Sequence, residues 1–178
     1  MSKLPLKTYD DPILRAKAKP IAQITPEIVQ LAHDMIETMI ASNGVGLAAN
    51  QIGQLIRIFI IRDERMGEGE DDTVLGPPEV IINPTLSNFS KEKCSMLEGC
   101  LSLPGLHVEV SRPKDLDIRY QNLKGEWIEE KLTNFRARVV MHENDHLDGL
   151  MIIHRIPKAD LKKVEPELLA IKRKYHPI

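Results

Sequence analysis

The chain has 178 residues, 42% hydrophobic and 28% charged, which is the length and apolar content of one compact domain spanning residues 1–178. Such a domain folds without disulfide or metal staples, and its two cysteines, Cys94 and Cys100, spaced i and i+6, exclude a secreted disulfide framework and a CxxC pair. A formal net charge of -2, no apolar leader and no bilayer-length apolar run lead to the expectation of a cytoplasmic protein with neither a membrane nor a direct nucleic-acid site.

In chain order, the first predicted helix has Thr25 as N-cap, Pro26 at its first position and Glu27 in its first turn. Ile28, Leu31, Ala32, Met35, Ile36, Met39 and Ile40 form one apolar stripe, and Asn43 and Gly44 offer a left-handed stop. The glycine-rich run GVGLAANQIG permits close backbone approach and leads into a strand from Ile56 to Ile61. From Arg62 to Pro78 the charged, glycine-rich sequence reads as a mobile surface loop. Strands are predicted at Val80–Asn83, His107–Val110, Leu116–Gln121 and Glu126–Leu132, the last two joined as a hairpin through a turn with Gly125. A second helix follows Thr133, with Phe135, Val139, Val140 and Leu147 as apolar members, and ends near Gly149. The tail from about residue 159 carries a third helical pattern. Pro166 falls at its first turn or kinks it, and a start near Pro166 is favoured.

Chemistry concentrates in His142, Glu143, Asn144, Asp145 and His146, an HExxH pattern on the second predicted helix. Residues i and i+4 share a helix face, so the two imidazoles project side by side at a spacing that one small cation bridges. A metal-bound water has its pKa pulled toward neutrality, and a carboxylate beside it, Glu143, accepts that proton and returns it to a leaving amine. A third ligand is required. Thermolysin-like proteases take a glutamate from a following helix, whereas a thiolate is the better donor to the same borderline metals. Cys100, in the irregular segment EGCLSLPG, is the candidate thiolate, against the bland reading of a small buried hydrophobe. A zinc endopeptidase and a purely structural metal staple remain as alternatives. Cys100→Ala separates the first, and a fourth protein ligand would mark the second.

GVGLAANQ, EGCLS and HENDH, in this order and spacing, resemble the motifs of the peptide deformylase family, and DPILRAKAKPI and VIINP extend the resemblance over nearly the whole chain. The resemblance implies an α+β fold of antiparallel strands around a central metal-binding helix. It implies removal of the N-formyl group from the initiator methionine of nascent polypeptides, with release of formate. Cys100, His142 and His146 would hold one divalent metal ion, Fe(2+) in most members, with zinc, nickel or cobalt also accepted. Glu143 would be general base and acid, and Gln51 with the backbone N–H of Leu101 would stabilise the oxyanion, a role typically worth about 3 to 4 kcal/mol per donor. Val45, Gly46, Gly99, Phe135 and Val139 are candidates for substrate binding, with Gly44, Gly46, Ala48 and Ala49 crowding the formyl carbon. An Arg112–Glu98 ion pair is expected, and Asp145 and Asp148 are candidates to orient a ligating imidazole. His107 stands where some members have arginine. The basic tail residues Lys162, Lys163, Lys172, Arg173 and Lys174 would offer a ribosome contact, against the plainer reading of a solvated helix.

Overall fold

The computed structural model describes residues 3–66 and 73–176. In chain order the strands are β1 (Gly46–Ala48), β2 (Ile58–Ile61), β3 (Glu64–Met66), β4 (Thr73–Leu75), β5 (Glu79–Ser87), β6 (Lys93–Cys100), β7 (Leu103–Pro113), β8 (Asp115–Gln121) and β9 (Trp127–Thr133). The helices are α1 (Pro26–Ala41), α2 (Asn134–Leu147) and α3 (Lys158–Tyr175). All the paired strands are antiparallel: a five-stranded sheet in the order β1-β2-β5-β8-β9, and the two-stranded ribbons β3-β4 and β6-β7. The fold is therefore α+β.

Strand β2 explains the layering. Its four residues, IFII, are all fully buried, so alternate side chains enter two different cores. Ile58 and Ile60 pack with Ala32, Met35 and Met39 of α1, while Phe59 and Ile61 pack with Ala137, Val140 and Met141 of α2. The helix carrying the HExxH pattern thus lies on the face of the sheet opposite α1. A third core joins Leu106, Val108 and Val110 of β7 to Leu168 and Ile171 of α3 and places Cys100 at its margin. Among the described residues no helix is long and apolar enough to cross a membrane.

Several expectations hold with small shifts. Helix α1 starts after Thr25 as predicted, although Thr25 makes no side-chain cap bond, and Ile40 of the expected stripe is 46% exposed. The β8-β9 hairpin closes through Asn122–Gly125, where Gly125 takes φ +79°. Three readings change. The segment read as a mobile loop from 62 to 78 contains the β3-β4 ribbon, fastened by Arg62, which donates to the carbonyls of Gly76 and Leu75 at 2.9 and 3.1 Å; its residues 67–72 lie outside the described residues. EGCLSLPG is not irregular throughout, because Glu98, Gly99 and Cys100 end the eight-residue strand β6, whose mostly exposed side chains lack the alternation that marks a strand in sequence. Helix α3 begins at Lys158 and contains Pro166. That proline is exposed, so the carbonyl left without an N–H partner can turn to water.

Candidate metal centre

Three elements converge on one point. Helix α2 presents His142 and His146 one turn apart, their ring centroids 5.2 Å from each other. The tight β6-β7 connection, with a register shift at Gly99 and Cys100, swings the thiol toward them. Cys100 Sγ lies 3.3 Å from His146 Nε2, and one ligand atom from each of Cys100, His142 and His146 falls within 4.8 Å of the others. A tetrahedral ion with bonds of 2.0–2.3 Å holds its ligand atoms about 3.5 Å apart, so this set closes around a single cation with little movement.

The imidazole of His142 is prepared for that role by its other nitrogen. Glu98 Oε2 sits 3.0 Å from His142 Nδ1, which fixes that nitrogen as the protonated one and leaves Nε2 free to face the thiol. Burial opposes a charge on His142, but its hydrogen bonds to Cys100 and Glu98 outweigh burial and hold its pKa well above the ordinary value. Burial, reinforced by His142, pushes His146 well below and keeps it neutral. The pocket therefore welcomes one positive charge beside His142 and a neutral donor at His146, which suits a bound cation. A buried polar atom without a partner points the same way: Glu143 Oε2 has none. Burial raises the Glu143 carboxyl to about 7, the poise of a group that accepts and returns a proton near neutrality.

Gln51 stands in a short 3-10 turn (Ala49–Ile52) directly after β1. The Ala48 N–H donates to Gln51 Oε1 at 2.9 Å, so the amide nitrogen must face the other way, where it lies 3.6 Å from Cys100 Sγ and 3.1 Å from Ser102 Oγ. Gly46 packs against Glu143: a Cβ built there would lie 2.2 Å from Oε1. A cleft of about 400 Å3 opens onto the cluster. Val45, Gly46, Gly99, Leu101, Phe135 and Val139 all line it, together with Gln51, Cys100, His142, Glu143 and His107. Of the four small residues expected to crowd the reacting carbon, Gly44 and Gly46 line the cleft, whereas Ala48 and Ala49 are fully buried in the core.

The support behind the cluster corrects one expectation. Among the described residues the side chains of Asp145 and Asp148 hydrogen-bond to arginines and Asn144 rather than to an imidazole; it is Glu98 that bonds His142. Asp145 acts one step away, accepting from Arg112 NH1 at 2.8 Å, and Asp148 pairs with Arg57 at 2.9 Å. The expected Arg112–Glu98 pair is present as a two-pronged contact of 2.7 and 3.0 Å. Sequence reading missed Arg138, whose NH1 donates to Glu98 Oε1 at 2.7 Å, and Arg155, which grips Asp145 through Nε and NH2. Arg138 lies one turn before His142 on α2, and that i−4 spacing was the available signal. Burial opposes ionisation of Glu98 and raises its pKa, but hydrogen bonds from His142 and Arg112 prevail and hold it well below the usual carboxylate range.

An antiparallel α+β frame with a helix-borne His-Glu-x-x-His and a converging thiol defines a hydrolase with a candidate site for one metal ion. The model of the polypeptide deformylase family matches residues 3–162, and the chain belongs to that family. The peptide deformylase of Pseudothermotoga lettingae is 39% identical over 168 residues, covering 94% of this chain and 91% of that protein. A plant peptide deformylase crystal structure superimposes with a TM-score of 0.87 at 31% identity, over 98% of this chain and 92% of that one. The class I type b peptide deformylase of Acinetobacter baumannii, solved with Met-Ala-Ser bound, gives 0.80 at 35% identity, over 87% and 99% of the two chains.

Proposed function

We propose that the protein removes the formyl group from N-formylmethionyl peptides as nascent chains emerge, releasing formate. Family membership supports the reaction class. The single observation that carries the site assignment is the convergence of Cys100, His142 and His146 beside a buried carboxylate raised to about 7. The three residues would hold a divalent ion, which we take to be iron(II); zinc, nickel and cobalt suit the same borderline donors. Bound there, the ion supplies Lewis acidity to a water and to the formyl carbonyl.

The protein's own residues do the rest. Glu143 takes the proton from the attacking water, and its near-neutral pKa lets it hand that proton to the departing amine as the carbon–nitrogen bond breaks. Gln51 Nε2 and the Leu101 N–H donate to the carbonyl oxygen as it gains charge, the glutamine held in orientation by the Ala48 N–H. Gly44 and Gly46 keep the floor of the cleft low, and Glu143 packs directly on Gly46, so small acyl groups are favoured at that end. Val45, Phe135 and Val139 give the methionine side chain an apolar wall, with Gly99 beside the peptide backbone. The Acinetobacter relative was solved with a peptide that begins with methionine, in keeping with this reading.

Two free cysteines suit a cytoplasmic setting. A ribosome contact through the tail would use Lys162 and Arg173 of α3, since Lys163 pairs with Asp160 at 2.6 Å, Lys172 is engaged by Asp10 at 2.8 Å and Lys174 lies over the Tyr175 ring. The deciding experiment is formate release from a formyl-Met peptide by anaerobically prepared protein, with Glu143→Ala as control. We expect turnover by the wild type and a loss of about 100-fold or more in the variant. Cleavage of internal peptide bonds without formate release would favour an endopeptidase instead.

A further inference from the structure

Helix α2 has a cavity on each of two opposite sides. Val139, His142 and Glu143 face the cleft described above, whereas Met141, Asn144, Asp145 and Asp148 face a second cleft of about 870 Å3 that the deformylase reading leaves without a role. The volume lies within the range of small-molecule sites. Five basic side chains, Lys17, Arg57, Lys93, Arg112 and Arg155, line it against two acidic ones, Asp145 and Asp148. Arg57 answers Asp148 at 2.9 Å, and Arg112 and Arg155 share Asp145. Lys17 and Lys93 are left with no ion pair among the described residues. Leu86, Phe89 and Met141 add apolar wall, Phe89 being 49% exposed. A concave surface with surplus positive charge between low-dielectric walls gathers anions, and the apolar wall selects those with a hydrophobic body.

We propose that this cleft binds an organic dianion with an apolar body, its two charges met by Lys17 and Lys93, and that occupancy is felt at the metal centre. The route is a chain of contacts already described. Arg155, the outermost, has a side chain 44% exposed and grips Asp145. Asp145 accepts from Arg112, Arg112 donates to Glu98, and Glu98 holds His142. An anion held by Lys17 and Lys93 also attracts the Arg155 guanidinium that lines the same cleft, which loosens its hold on Asp145 and redistributes Arg112 between its two carboxylates. Coupling of this kind rests on the deformylase reading for its activity readout; the binding site does not.

The test is calorimetric titration of the metal-loaded protein with isophthalate at constant ionic strength, metal content being measured before and after. Saturable binding at one site per chain is expected, weakened by about tenfold or more in the Lys17→Glu/Lys93→Glu double variant, with its melting curve confirming a folded protein. The neutral isostere 1,3-benzenedimethanol should not bind. No saturable heat with isophthalate, equal affinity in the double variant, or equal binding of the neutral isostere each overturns the site. Saturating isophthalate should change kcat/KM for formate release by about fivefold, and binding without any such change overturns the coupling. A protein that binds isophthalate yet releases no formate refutes the deformylase reading and leaves the site standing.

Discussion

Cys100 and Glu143 carry the reading, and each supports a different test. Sulfur from Cys100 lies 3.3 Å from His146 Nε2 and is the sulfur donor of the cluster. Changes behind a metal ligand already cost about 10- to 100-fold in affinity, so Cys100→Ala should lose more and purify with background metal by elemental analysis. Full retention of metal would return the third-ligand role to a carboxylate. Glu143 makes a statement about pH. Burial raises it to about 7 in the fold from 4.5 for a free carboxyl. Between those values the folded chain holds a proton that the unfolded chain has released, so stability of the metal-free protein falls as pH rises through this window, by up to about 3 kcal/mol. Metal-free Glu143→Gln, lacking the charge, should melt higher than metal-free wild type at pH 8 and match it near pH 4. Equal melting temperatures at pH 8 would remove the buried-carboxylate argument.

At the level of elements, two glycines do different jobs for α2. Gly149 ends it with φ +75°, and a Cβ there would lie 2.5 Å from the Arg15 carbonyl oxygen. Backbone cannot move aside as a side chain can, so Gly149→Ala should cost about 1 to 3 kcal/mol or more in urea unfolding while leaving metal content unchanged. Gly46 has no such dihedral constraint, and its Cβ would instead meet the Glu143 carboxylate at 2.2 Å. Gly46→Ala should therefore lower kcat by about tenfold or more with a smaller loss of stability, because the group displaced is the proton carrier. The reverse pattern would make Gly46 a packing residue. Element boundaries were legible on α1 and the β8-β9 hairpin, whereas the predicted strands at Val80–Asn83 and His107–Val110 were cores of the longer β5 and β7. They failed at β6, whose side chains are mostly exposed. They failed again at α3, where an exposed proline is absorbed inside the helix.

Across the whole molecule, the buried ions Glu98, Arg112, Arg138 and Asp145 tie β6, β7 and α2 together. Removing one member strands the others, and breaking a buried pair typically costs about 3 to 5 kcal/mol. Arg112→Met should show that loss in urea unfolding at pH 7. Glu98 is held well below its unfolded value, so its contribution is complete above about pH 4.5 and lost as pH falls through the depressed folded value. The gap between wild type and Arg112→Met should accordingly stay open at pH 5 and narrow toward pH 2. A gap independent of pH would mean that packing of the arginine, rather than its charge, is what matters.

By itself the sequence determined the helix spacing of His142 and His146 and the candidacy of Cys100, because these depend on local periodicity and residue type, and its motifs carried the family resemblance that nominated Gln51. Only the tertiary structure decided that Glu98 rather than Asp145 or Asp148 bonds His142, that Arg138 and Arg155 join the buried network, and that Ala48 and Ala49 belong to the core. Those facts depend on which strand lies across from which helix face and on where the chain returns after α2, and contacts between residues 10 to 44 positions apart belong to no single element whose periodicity would reveal them.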